Sequence, residues 1–282
     1  MGELQRKFEK ARALGLGPAV RIIIKKLPHY LLFPQWMLFR MRHADRSAVT
    51  SLLCPPEEIS GQLEKKERLL REILSAHEGG SFLEIGIGPS PNLERVKFMG
   101  EFGVSYTACD FQMVCDHHCS ELERQGVDVS RIMFASNRVG TYSWTLFEML
   151  QRGKQFDIIY LDGHHTFYVD LPALSLAHYL LKPGGVFVVD DIVWSLDFLT
   201  ANMYRSFDEW HFYRKIYNFG DYSAEQRGLP HMKMVVEELL LGRLHYLRDE
   251  VYCLPEWWAL RKPQGGEQAQ VAVVEIVTLG KV

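Results

Sequence analysis

The sequence predicts an α/β protein: a Rossmann-like, mainly parallel seven-stranded sheet with helices on both faces, preceded by an N-terminal helical appendage. Three observations carry this. Short apolar runs alternate with helical stretches from about residue 80 onward. Four of those runs end in an acidic residue, at Glu84, Asp110, Asp162 and Asp190. Glycines follow the first run at Gly86 and Gly88. Apolar strands alternating with helices form parallel sheets covered on both faces. In such sheets ligands bind beyond the carboxyl ends of the strands, where these acids gather.

Composition sets the outer limits. The chain has 282 residues, 47% hydrophobic and 24% charged, which excludes disorder and fibrous classes. Five cysteines, an odd number, argue against a disulfide framework and for a reducing, cytoplasmic compartment. A net charge of −3 gives no general attraction to nucleic acid. The charge is uneven: residues 1–47 hold ten Lys/Arg against three Asp/Glu. Their apolar stretch from Ile22 to Met41 is broken by Lys25, Lys26, Pro28, His29, Pro34 and Arg40. It falls short of the roughly 20 apolar residues of a membrane span. Residues 1–57 are therefore expected to be a basic helical appendage that supports a homo-oligomer or touches a membrane surface, and 58–282 the main domain.

The elements follow in order. Ile59, Leu63, Leu69, Leu70, Ile73 and Leu74 have helical spacing, with Glu64–Arg68 on the expected wet face and Gly79-Gly80 as the stop. Ser81–Ile85, Ser105–Cys109, Arg131–Phe134, Phe156–Leu161, Gly185–Val189 and Gln270–Val277 read as strands. Cys115 and Cys119 share one helical face and lack a distant ligand pair, so they read as ordinary thiols rather than a zinc site. Residues 194–222 are unusually aromatic and read equally as core or as a wall for an acceptor; Trp257-Trp258 fit either role too.

The first candidate site is the segment Glu84-Ile85-Gly86-Ile87-Gly88. Gly86 and Gly88 let backbone approach a ligand closely. Asp110, 24 residues past Gly86, can accept both ribose hydroxyls. A dinucleotide fingerprint wants a third glycine where Pro91 stands, and Glu84 would repel a pyrophosphate. A carboxylate there suits a cationic ligand instead. With Leu181-Lys182-Pro183-Gly184-Gly185, this pattern resembles class I S-adenosylmethionine-dependent methyltransferases over about residues 60–280. The resemblance implies that Gly86 and Gly88 wrap the methionine part, Asp110 holds the ribose, and Ala135-Ser136 flank adenine.

The second candidate site is Asp162-Gly163-His164-His165 together with Asp190-Asp191. Clustered carboxylates are costly unless a cation or protons neutralise them, and hard oxygen ligands suit Mg²⁺. A metal there would lower a substrate hydroxyl's pKa, and His165 could accept its proton. These positions resemble the catechol-type and bacterial small-molecule O-methyltransferases. That resemblance implies Asp162, Asp190 and Asp191 as metal ligands, with Asp162 also near the cofactor, and His165 as base. The sequence departs from the catechol enzymes with histidine in place of lysine and Asp191 in place of asparagine. The expected function is methyl transfer to a hydroxyl of a natural product, sugar or phenol, in secondary metabolism. The alternatives are metal-independent N- or C-methylation, and a non-catalytic nucleoside-binding or membrane-associated assembly protein.

Overall fold

The computed structural model describes residues 56–137, 142–203 and 222–264, with helical positions at 34, 35, 37 and 38. The predicted strand Gln270–Val277 and most of the aromatic stretch 204–221 lie outside these residues. The chain divides into two compact units. One comprises Pro56–Leu196 with Leu229–Val282, and the other Met1–Pro55 with Asp197–Gly228. No helix among the described residues is long and apolar enough to cross a membrane.

The larger unit is built on α1 (Pro56–Ser75), β1 (Ser81–Ile85), α2 (Leu93–Glu101), β2 (Ser105–Phe111), α3 (Gln112–Arg124) and β3 (Ile132–Asn137). It continues through α4 (Tyr142–Gln151), β4 (Phe156–Leu161), α5 (Phe167–Leu180) and β5 (Leu181–Val189). A short helix, His231–Val235, runs on as a π-helix over Val236–Arg243, and β6 (Leu247–Arg248) and β7 (Trp258–Arg261) complete the sheet. The other unit contains most of the helix Leu196–Met203, and the short helix Ala224–Gly228.

The seven strands lie in the order β3-β2-β1-β4-β5-β7-β6. The first five pair in parallel, and β7 runs antiparallel to both β5 and β6. Alternate residues of each strand feed two cores, as a period of two requires. Leu83, Ile85, Ile159, Phe187 and Val189 pack with α4 and α5, while Phe82, Ile158, Tyr160 and Val188 pack with α1 and Met99 of α2. The Rossmann-like, mainly parallel architecture is the expected one. Trp257 and Trp258 are buried core residues. The strand order changes direction between β1 and β4, so the β1 and β4 ends flank the crevice where such folds bind ligands.

Two local expectations fail. Leu63 is 57% exposed, whereas Lys66 and Glu67 of the supposed wet face turn inward. Paired charges recruit both: Lys66 is ion-paired with Asp190, and Glu67 with Arg95. Strand β3 also runs on through Asn137, so Ala135 and Ser136 sit within it rather than after it.

Candidate active site

The glycine turn leaves β1 with Gly86 at φ +81° and Gly88 at φ +70°. At Gly86 glycine is obligatory, because a Cβ would stand 2.1 Å from the carbonyl oxygen of Asp162. At Gly88 only the backbone angle favours glycine, since the surrounding space is open. Gly86 N–H donates to Cys109 O at 2.9 Å, tying the turn to β2. Buried His118 on α3 donates from Nε2 to Gly88 O at 2.9 Å. Burial lowers the pKa of this imidazole.

Asp110 closes the same corner. Its Oδ2 accepts from Ile87 N–H at 2.9 Å and its Oδ1 from Phe111 N–H at 2.6 Å. Burial raises its pKa, and the two amides offset part of that rise. Each carboxylate oxygen keeps a further lone-pair position for a ligand hydroxyl. Ser136, level with Asp110 on the neighbouring strand, donates to Gln112 Oε1 at 2.7 Å.

Glu84 is not a free carboxylate. It is buried, ion-paired with Arg95, and accepts from the Tyr106 hydroxyl at 2.5 Å. Arg95 is also paired with Glu67 at 2.7 Å and lies over the Tyr160 ring, 4.7 Å from its centroid. A cavity of about 230 Å³ beside the turn is walled by Glu84, Ile87, Gly88, Arg95, Tyr106 and Asp162, among others.

The loop after β4 is shaped by side chains that the sequence did not flag. Gly163 must be glycine, because a Cβ would lie 2.2 Å from the Tyr142 hydroxyl and 2.3 Å from Asp170 Oδ1. Asp170 is buried and accepts from the Tyr142 hydroxyl, from His164 N–H at 3.1 Å and from Thr166 N–H at 2.9 Å. This pinning turns His165 into the left-handed region at φ +56°. Its Nε2 thereby faces Asp162 Oδ1 at 3.6 Å and Asp191 Oδ2 at 3.8 Å. Asp191 is left-handed as well, at φ +47°. Such strained non-glycine residues persist where surrounding structure enforces them, and they cluster at functional sites.

Among the described residues, Asp162, His165 and Asp191 form a group whose ligating atoms lie within 4.8 Å of one another. Two hard oxygens and an imidazole suit a divalent cation. Burial first, and the neighbouring Asp190 carboxylate second, push the pKa of both Asp162 and Asp191 well above the usual carboxylate range. Burial lowers His165 to about 4 and keeps its imidazole neutral near pH 7. Trp194 packs edge-on against that imidazole, with ring centroids 5.0 Å apart.

Asp190, beside this group, has partners of its own. Its Oδ2 accepts from the Tyr160 hydroxyl, and its Oδ1 from Lys66 Nζ at 2.6 Å and from Asp191 N–H at 2.7 Å. Lys66 also reaches Asp191 Oδ1 at 3.2 Å and lies 3.9 Å from Glu256 Oε1. His165 thus faces the two outer carboxylates, and Asp190 pairs with a lysine. The sequence offered one missed signal, a lysine inside a helix one turn from buried leucines. Cys109 and Cys115 are buried, and Cys119 is half-buried.

No family model and no curated protein matches the chain. Several solved structures are similar at low identity. A Staphylococcus aureus protein provisionally named a caffeoyl-CoA O-methyltransferase is 14% identical at TM-score 0.46, over 70% of this chain and 82% of that one. An O-methyltransferase from Bacillus cereus, solved with SAH, is 15% identical at TM-score 0.44, over 78% and 90%. MycE from the mycinamycin biosynthetic pathway, solved with Mg, SAH and mycinamycin VI, is 15% identical at TM-score 0.42. That match covers 68% of this chain and only about half of MycE, 47%.

Proposed function

We infer that this chain is an S-adenosylmethionine-dependent methyltransferase acting on a hydroxyl of a small molecule, with a divalent cation such as Mg²⁺ at Asp162 and Asp191. One juxtaposition carries the reading. The backbone of Asp162 presses on Gly86 of the glycine turn, while its carboxylate faces His165 and Asp191. A cradle for a nucleoside and a group suited to a hydroxyl therefore share one residue.

S-adenosylmethionine, when bound, supplies an electrophilic methyl group, and a divalent cation supplies charge that acidifies a nearby hydroxyl. The chain's own residues position and deprotonate. Gly86 and Gly88 admit the methionine part, Asp110 accepts from the ribose hydroxyls, and Ala135 and Ser136 flank the base. Glu84 acts through its pair with Arg95 as part of the cavity wall. His165, kept neutral by burial, accepts the hydroxyl proton at Nε2. Orientation of the attacking oxygen supplies most of the rate, since in-line methyl transfer needs little acid–base chemistry. Five cysteines in a non-disulfide pattern support a cytoplasmic setting, and residues 1–57 are proposed to serve oligomer contacts.

A second reading is metal-independent transfer, to oxygen, nitrogen or carbon. The observation favouring it is Lys66, whose ammonium already pairs with both Asp190 and Asp191. Turnover with labelled S-adenosylmethionine and a panel of hydroxylated acceptors tests both. The first reading expects turnover that a chelator abolishes and Mg²⁺ restores; full turnover in chelator selects the second. His165→Ala should lower turnover about 10²–10⁴-fold while Mn²⁺ binding survives. Loss of Mn²⁺ binding instead would make His165 a ligand rather than the base.

A further inference from the structure

We propose that Lys66 is an internal cation that competes with a divalent metal for Asp191, and that Glu256 receives its ammonium when the metal binds. The inference rests on the metal reading above and concerns what controls that site's affinity.

The geometry is specific. Asp191 divides its carboxylate between two partners. Oδ1 takes Lys66 at 3.2 Å, while Oδ2 faces His165 at 3.8 Å in the metal-compatible group. An ammonium on one oxygen and a divalent cation on the other would stand a few ångströms apart and repel. Withdrawn from bulk water, that repulsion is poorly screened. Lys66 reaches this place from α1, 124 residues before Asp190, so it is delivered by the fold and not by the acidic loop itself.

The second observation is Glu256. Its side chain is only 10% exposed, and its Oε1 is buried without a hydrogen bond while lying 3.9 Å from Lys66 Nζ. A buried carboxylate oxygen without a hydrogen bond is costly. A shift of the lysine tip by about an ångström would give it one. The three acids Asp190, Asp191 and Glu256 thus offer the ammonium two resting places. It sits on Asp190 and Asp191 without metal, and on Asp190 and Glu256 with Asp191 released to the metal. Glu256 precedes buried Trp257, which fixes the second place in the core.

The test is Mn²⁺ affinity of the full chain, read by electron paramagnetic resonance of the free ion, in the native protein, Lys66→Met, Glu256→Gln and the double variant. Lys66→Met should bind Mn²⁺ at least tenfold more tightly. Glu256→Gln should weaken binding several-fold, because the second resting place then offers the ammonium a neutral amide oxygen in place of a carboxylate. In the Lys66→Met background the same change should alter affinity less than twofold. Unchanged or weaker binding in Lys66→Met overturns the competition, and an equal Glu256 effect in both backgrounds overturns the exchange. If the native chain binds and Lys66→Met binds no better, the proposal falls while the metal reading stands. If only Lys66→Met binds, the competition holds and the native enzyme is metal-independent. If neither binds, both fall. Should Lys66→Met fail to fold, Glu256→Gln alone decides against the native chain, weaker binding supporting the proposal and unchanged binding overturning it.

Discussion

The two ends of the acidic edge hold their charges by different means. At Gly86 and Asp110 the carboxylate rests on backbone amides of residues 87 and 111, and the turn is set by glycine angles. At Asp162, Asp190 and Asp191 the carboxylates face mainly side chains, His165, Tyr160 and a lysine from α1, with the Asp191 amide as a backbone donor to Asp190. Backbone partners cannot leave without breaking the strand ends, so the first region is held fixed. Side-chain partners can exchange, so the second region can change its charge balance when a cation or substrate arrives. Under the proposed function, this difference would set a fixed cofactor cradle beside an adjustable reaction group.

The sharpest way to break the comparison is at the point where the regions touch. Gly86→Ala would force a Cβ to 2.1 Å from the Asp162 carbonyl in a left-handed backbone. We expect a loss of at least about 4 kcal/mol in stability, the range reserved for core-scale damage, and loss of cofactor binding. Gly88→Ala, at a similar φ but in open space, should cost only about 1–2 kcal/mol. Denaturant unfolding of the pair checks this; equal costs would mean that the Asp162 contact does not constrain the turn.

A smaller effect separates fixed from adjustable through pH. Burial lowers His164, which stacks on Tyr142, to about 4, against about 6.5 in an unfolded chain. Between those values the unfolded chain binds the extra proton, so this histidine's contribution to stability falls as pH drops from 6.5 to 4. At about 1.36 kcal/mol per unit the loss approaches roughly 3 kcal/mol. His164→Asn should remove that dependence, making the drop in unfolding free energy from pH 7 to pH 4 smaller than in the native chain. Parallel pH curves would show that His164 titrates normally.

What was legible in the sequence follows the same division. The strands, the glycine turn and Asp110 are local patterns, since each is set by residues within a few positions or by one strand-to-strand step. The partners of the second region are not local. Lys66 reads as a solvated residue in a charged helical run, and only the packing of α1 against the sheet brings it to Asp190. Asp170 and Tyr142 look like ordinary helix residues until the loop between them closes. Glu84 was legible as an acid before glycines, but its pairing with Arg95 depends on α2 folding back over β1. Period and turn chemistry therefore reveal a corner that the backbone holds. Charges that meet through tertiary packing leave no spacing to read.

Asp110 gives the finest test of the fixed end. Asp110→Asn keeps the shape and one carbonyl acceptor but removes the charge and turns one oxygen into a donor. That donor would face Phe111 N–H or Ile87 N–H, which now meet oxygens at 2.6 and 2.9 Å. One amide then loses its partner, and a ribose hydroxyl loses an ionised acceptor. Hydrogen bonds to charged groups contribute about 1.5–3 kcal/mol, so S-adenosylmethionine affinity should fall about 10- to 150-fold by calorimetry. Mn²⁺ affinity should stay unchanged, because Asp110 lies outside the group formed by Asp162, His165 and Asp191. If both affinities fell together, the two regions would be one coupled site. The contrast between a fixed cradle and an adjustable reaction group would then be wrong.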